Sequence, residues 1–316
     1  MSKKWSSFGK QQLITENWRK YLNERELPAQ LPSDSHGDMR DAQLFIKGHK
    51  LGLEDFVTLL KKIADDPEFR KLAFSGRKDG NPTDEALTVT EGTPVAAKDL
   101  IPTQRDIDME KSLGDQMKNR WSPPSTEAAL QKIVTMPSPG GPIPVLTYDN
   151  KYILDGHHRW SQVMMTNPDG MMTTSNLSGD ALPNAEVALK ATQLAIAALA
   201  GDVETKGTKI NLLKFPAEAM AEYVQKNIAP EVLELLVKYK KISSPDVGEA
   251  VRYYVGNLKA IQAAPPGEFE REKGMPQADE SGVSQKRVNQ ALKRGTINFN
   301  DPKMSDMARR KKAAEE

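Results

Sequence analysis

The sequence predicts an α+β protein, and three observations carry that expectation. Apolar residues recur at helical spacing over long stretches, as in Leu53, Phe56, Val57, Leu60 and Ile63. Two short strand-like runs, Ile143–Thr147 and Lys151–Leu154, flank a tight Asp149-Asn150 turn of the kind that tolerates positive φ. From Asn184 to Ala200 the chain is Ala-rich and reads as one long helix. Strands and helices therefore interleave around a shared core.

Taken in order, residues 1–37 hold an amphipathic helix with Ile14, Trp18, Tyr21 and Leu22 on one stripe, then a linker broken by Pro28 and Pro32. Residues 38–84 read as a helical subdomain, with one helix from Leu53 to Ala64 and a shorter one opened by Asp66-Pro67 and closed near Gly76. Turn residues at 78–84 mark its end, and Leu87–Thr90 and Pro94-Val95 begin strand-like patterning. The core spans 85–215, with helices expected at Asp106–Lys118 and Glu127–Val134, and a Met- and Ser-rich loop from Met164 to Ser175. That loop would act as a lid or simply as an irregular connection. Helical patterns near 216–228, 230–241 and 245–262, opened by Pro216, Pro230 and Pro245, make a cap over 216–264. Residues 265–316 are polar and read as a flexible tail ordered only on a partner, with a helical pattern at Val283–Leu292.

Composition removes several function classes. Forty-four basic residues against 43 acidic ones leave a net charge of +1, so no global field draws the chain to nucleic acid or to an anionic membrane. With no cysteine there is no disulfide framework, no thiolate metal site and no sulfur nucleophile. No apolar run approaches the ~20 residues of a membrane span, and Met1–Ser7 lacks the apolar stretch of a signal peptide. A soluble cytoplasmic protein without a membrane partner is expected. The basic run Arg309–Lys312 is short, followed by Glu315-Glu316, and reads as a solvated tail.

The chemistry concentrates in Lys-Tyr-Ile-Leu-Asp-Gly-His-His-Arg-Trp at 151–160. A strand ending at Leu154-Asp155 would run through Gly156 into a helix beginning His157-His158-Arg159. The first amides of a helix lack internal acceptors and carry partial positive charge, so a phosphate fits there. Gly156 permits close approach, Arg159 can fork two hydrogen bonds to phosphate oxygens, and the imidazoles would add donors. A plainer reading stands beside this one: Asp-Gly is a common turn, and His-His-Arg would be a polar face with Trp160 packed inward. Adjacent histidines diverge on a helix, so His157 and His158 do not share a metal ion, and no metal ligands are assigned. His36 and His49 have nothing nearby to complete a site.

Gly156-His-His-Arg159 after an apolar strand resembles the signature box of the ParB/sulfiredoxin superfamily. Asp99-Leu-Ile-Pro-Thr-Gln-Arg-Asp106 is similar to the family's earlier landmark, a strand, a proline and Gln-Arg before a helix, and Gly141–Val145 resembles the strand leading to the hairpin. The resemblance spans residues 85–170 and implies a small mixed-sheet core carrying a nucleotide phosphate site. By this resemblance Gly156, His157, His158 and Arg159 would surround the phosphates, and Gln104 and Arg105 would lie on the neighbouring turn. ATP or another nucleotide is the implied ligand, and Mg²⁺ the ion that phosphoryl chemistry generally uses. Asp155 and Asp106 are the candidate metal holders and catalytic carboxylates, and His157 the candidate acid–base group.

Departures from the family narrow the choice. Sulfiredoxin chemistry needs a cysteine where His157 stands, and the ParB type needs a second phosphate motif that has no counterpart here. The leading expectation is a nucleotide-binding protein with phosphoryl-transfer or nucleotide-hydrolysing activity. A ParB-like DNA-binding protein or nuclease is one alternative. The other is a non-catalytic assembly or virion protein, since Glu16–Glu24 is similar to N-terminal segments of tailed-phage proteins; it would act in a host cytoplasm or in a particle. In that case a protein partner would dock on the N-terminal helix or the C-terminal tail.

Overall fold

A six-stranded mixed sheet runs through the centre of the protein, with helices on both faces. The computed structural model describes residues 53–78, 87–120, 124–134, 143–203, 208–264, 278 and 282–298. The expectations for the leading helix at 1–37, for His36 and His49, and for the Arg309–Lys312 run lie outside these residues. The described residues all belong to one compact unit.

Helices α1 (Leu53–Asp65) and α2 (Pro67–Ala73) come first. The sheet contains β1 (Thr88–Ala96), β2 (Ile101–Pro102), β3 (Ile133–Val134), β4 (Val145–Tyr148), β5 (Tyr152–Asp155) and β6 (Met171–Ser178). Its spatial order is β1-β6-β4-β5-β2, with β3 also pairing with β6. Helices α3 (Met109–Met117) and α4 (Thr126–Leu130) lie between β2 and β3, and α5 (His157–Thr166) joins β5 to β6. After the sheet come α6 (Ala185–Ala200), α7 (Ala217–Asn227), α8 (Pro230–Lys238), α9 (Val247–Ala263) and α10 (Gln285–Lys293).

Strand periodicity explains why the sheet is covered on both sides. Successive side chains on a strand point to opposite faces. Leu146, Leu154 and Leu177 enter one core with α1, α6 and α10, while their neighbours Val145 and Ile153, and Met172, enter the other with α5 and α7–α9. Burial of each such side chain contributes about 1.5–3 kcal/mol. The helices of the 216–264 segment are tied to α5 as well as packed on it: the Tyr253 hydroxyl donates to Thr166 O at 2.6 Å, and Asn257 Nδ2 to Met165 O at 2.7 Å. Burial pushes the Tyr253 phenol up to about 12.

Several local expectations hold. The β4–β5 hairpin turns at Asp149 and Asn150, both at positive φ, and α6 begins after an Asn184 cap that accepts from Val187 N. Others are corrected. The helix expected at 106–118 starts only at Met109, because the Asp108 side chain caps it by accepting from Lys111 N. The helix expected at Glu127–Val134 ends at Leu130, and Ile133-Val134 leave it to pair parallel with β6.

Met164–Ser175 is not a loop. Met164 and Met165 are buried on α5, and the segment after Gly170 is β6, paired with β1, β3 and β4. It buries side chains on both faces, Met172 and Thr174 on one and Ser175 and Leu177 on the other, as a strand inside a sheet covered on both sides requires.

The tail expectation is corrected in part. Within it, α10 buries Val288 and Leu292 against α6 and β1, and Asn298 N donates to Ala73 O at 2.9 Å. A helix that completes the core is ordered by this chain's own residues and needs no partner.

Candidate functional site

The site begins with two neighbouring strands. β2 and β5 run parallel, with Ile101 opposite Tyr152 and Pro102 opposite Ile153, so their carboxyl ends open at the same edge. From β2 emerges the loop Thr103–Asp108; from β5 emerges Gly156, then α5. Gly156 sits at φ +100°, a left-handed conformation that glycine adopts without strain and that turns the strand directly into the helix. No side chain caps α5 at this residue.

The two histidines use their rings to fasten the loop. His157 Nε2 accepts the backbone N–H of Thr103 at 3.1 Å, and His158 Nε2 accepts that of Asp108 at 3.3 Å. Thr103 Oγ1 donates to Ile153 O at 2.6 Å, completing the tie to β5. One turn on, Ser161 Oγ lies 2.7 Å from Ser112 Oγ, and Gln162 Nε2 donates to Lys111 O at 2.9 Å. Positions 157, 158, 161 and 162 form one helical face, so α5 meets the 103–112 segment along a continuous polar seam. An imidazole accepting at Nε2 is unprotonated there, and this spends the lone pair that acid–base work by His157 would need.

Arg159 faces the other way. Its guanidinium lies 4.0 Å from the Asp155 carboxylate and donates to Gln285 Oε1 at the start of α10. Gln285 in turn donates through Nε2 to Pro144 O at 2.7 Å. Arg159 and Asp155 are both buried, at 7% and 6% exposure, and the guanidinium rests directly on Gly156: a Cβ there would stand 2.8 Å from Nη2. The four residues of the box thus do not point at one common centre. The histidines grip the loop, and Arg159 closes over the strand end.

Gln104, Arg105 and Asp106 occupy the loop between the histidine contacts. Gln104 is buried, and its Nε2 donates to Asp106 O at 2.6 Å; its Oε1 has no hydrogen-bond partner among the described residues. Arg105 and Asp106 are exposed. Asn211 fixes both, donating from Nδ2 to Arg105 O at 2.9 Å and to Asp106 Oδ1 at 2.6 Å, while its Oδ1 accepts from Ile107 N.

Asp108 closes the loop. Its carboxylate accepts from Lys111 N and from Lys209 N, each at 3.1 Å. Burial pushes this carboxyl up, but the amides of Lys209 and Lys111 and the Lys111 charge outweigh burial and hold it below its ordinary value.

The proposed Mg²⁺ finds no ready cage. Asp155 faces Arg159, Asp106 is held by Asn211, and no group of three His, Asp or Glu side chains among the described residues is placed to hold a metal ion. These residues do not fit a protein-held ion. What meets at Gly156 instead is a helix start and the buried Arg159 guanidinium.

Sequence reasoning alone did not single out Thr103, Asp108, Asn211 or Gln285. Asp108 had a local signal, an aspartate just before a helical pattern. Thr103, Asn211 and Gln285 had none, since their partners lie far off in sequence. Among the described residues no helix is long and apolar enough to cross a membrane. Comparisons with family models, with curated proteins and with solved structures give no match for this chain.

Proposed function

We propose that the chain is a nucleotide-binding protein of the ParB/sulfiredoxin-like kind. It would hold the phosphates of ATP or a related nucleotide at the carboxyl ends of β2 and β5, and phosphoryl transfer or nucleotide hydrolysis would be the chemistry this site serves. One observation carries the reading. The two sequence landmarks, Thr103-Gln104-Arg105 and Gly156–Arg159, come from adjacent parallel strands and are bonded to each other directly. Crevices at the carboxyl ends of parallel strands are where α/β sheets place phosphate ligands, since helix amides converge there.

In this reading Arg159 is the main phosphate contact. Asp155 orients it and keeps its charge compensated, and a planar guanidinium offers the paired donors that phosphate oxygens take. His157 and His158 are positioning residues, holding the Thr103–Asp108 loop at the proper distance from α5. Gln104 Oε1 is a buried acceptor that a ligand hydroxyl or amino group would satisfy. Phosphoryl transfer depends on positioning and charge stabilisation, which is the service Arg159 offers; Mg²⁺ enters no step derived from these residues.

A duplex backbone suits the site less well. Arg159 is 7% exposed, whereas phosphates along DNA are met by cations on open surfaces. Calorimetric titration of the full chain with ATP, ADP and CTP tests the proposal. At least one should bind, and Arg159→Ala should weaken that binding tenfold or more, about 1.4 kcal/mol. Absence of binding to all three, or binding that ignores the substitution, overturns it. Phosphate release measured on the same samples decides whether binding leads to turnover.

A further inference from the structure

The residue that meets the Arg159 guanidinium from outside the box is Gln285, the first residue of α10, 126 positions away in sequence. Gln285 is 2% exposed and uses both ends of its amide: Oε1 accepts from Arg159 Nη2, and Nε2 donates to Pro144 O at 2.7 Å, just before β4. The carbonyl oxygen therefore occupies the position on the guanidinium that an anionic oxygen of a ligand would take. Behind Gln285, Ser284 caps α10, and Val288 and Leu292 anchor the helix in the core beneath α6.

We propose that α10 is a built-in competitor for the phosphate site, with Gln285 as its contact, so that ligand binding at Arg159 and docking of the first turn of α10 exclude each other. The inference rests on the nucleotide reading above. Its physical basis is an exchange of acceptors. A phosphate oxygen makes a charge-assisted bond to guanidinium that is stronger than the bond from a neutral amide. Once displaced, Gln285 would be left with a buried carbonyl oxygen and no donor, which is costly, so the first turn of α10 is driven outward towards water. By linkage, whatever loosens α10 must tighten ligand binding by the same factor.

The experiment measures ATP, ADP and inorganic pyrophosphate affinity for the full chain carrying Gln285→Ala or Gln285→Leu. The leucine variant removes the acceptor while leaving no cavity, and thermal melting verifies that each variant is folded. Both should bind at least about fivefold more tightly than the wild type, the lower end of ordinary coupling. In the wild type, saturating ligand should speed amide hydrogen exchange in residues 285–293. Affinity that is unchanged or lower in the folded variants, or exchange that ligand leaves unaltered, overturns the competitor role. If the wild type binds and Arg159→Ala does not, while the Gln285 variants behave as wild type, the nucleotide reading stands and only the competition falls. If neither the wild type nor the Gln285 variants bind any probe, both fall together.

Discussion

The backbone N–H of Thr103 donates to Nε2 of His157 at 3.1 Å, joining positions 54 apart in sequence. This bond and its companion from Asp108 to His158 turn two residues that look like ligands into struts. Thr103 is 1% exposed and His157 2%, so the amide has no water to fall back on. His157→Ala should cost about 1–3 kcal/mol through the stranded donor, and His158→Ala less, because that ring is only partly buried. Urea unfolding followed by tryptophan fluorescence compares the two, and equal costs would contradict the strut account. Nitrogen NMR of the imidazoles should find Nε2 unprotonated in both rings at neutral pH.

Gly156→Ala tests the strand-to-helix turn and Arg159 together. At φ +100° an L-residue is strained by about 1–3 kcal/mol, and the new methyl would stand 2.8 Å from Arg159 Nη2. Stability should drop by at least that strain, and nucleotide affinity should drop with it as the guanidinium is displaced. Differential scanning calorimetry alongside a binding titration reads both; a variant as stable as the wild type would show that the turn is not constrained as described.

Asp108 gives the fold an acid-sensitive point. Its carboxyl is held below the ordinary 3.8, so the unfolded chain takes up the proton more readily than the folded one. The resulting stabilisation is complete above 3.8 and fades as pH falls through the lower folded value. Asp108→Asn keeps a capping oxygen but cannot titrate. Its stability deficit should therefore be largest near neutrality and vanish in strong acid, as read from urea midpoints at several pH values. Asp108→Ala, which removes the cap of α3 as well, should cost about 1 kcal/mol at neutral pH. A pH-independent gap between Asp108→Asn and wild type would refute the assignment.

Leu292, 1% exposed, tests whether α10 belongs to the core. Leu292→Ala should lower stability by about 2–5 kcal/mol, the range for a buried leucine truncated in a packed interior. A segment that merely trails from the body would lose almost nothing. Chemical denaturation monitored by circular dichroism separates the two outcomes.

Local chemistry was legible without coordinates wherever the deciding neighbours are a few residues away. Helical spacing marked α1, α6 and the three helices after Pro216; Asp149-Asn150 marked the hairpin; a glycine after a strand marked the turn into α5. Where local cues are ambiguous, the fold departs from the sequence expectation. Met171–Ser178 has the polarity of a loop, yet becomes the strand flanked by β1 and β4, because its neighbours supply the hydrogen bonds and both cores need its alternate side chains.

By itself the sequence determined that Gly156 joins a strand to a helix carrying two imidazoles and a guanidinium in succession, since backbone preference and residue order suffice for that. Only the tertiary structure decided what each of those groups does. A hydrogen-bonding side chain is neutral about its partner until the fold supplies one: His157 found an amide 54 positions back, and Arg159 found an amide oxygen 126 positions ahead, on a helix whose own place depends on burying Val288 and Leu292.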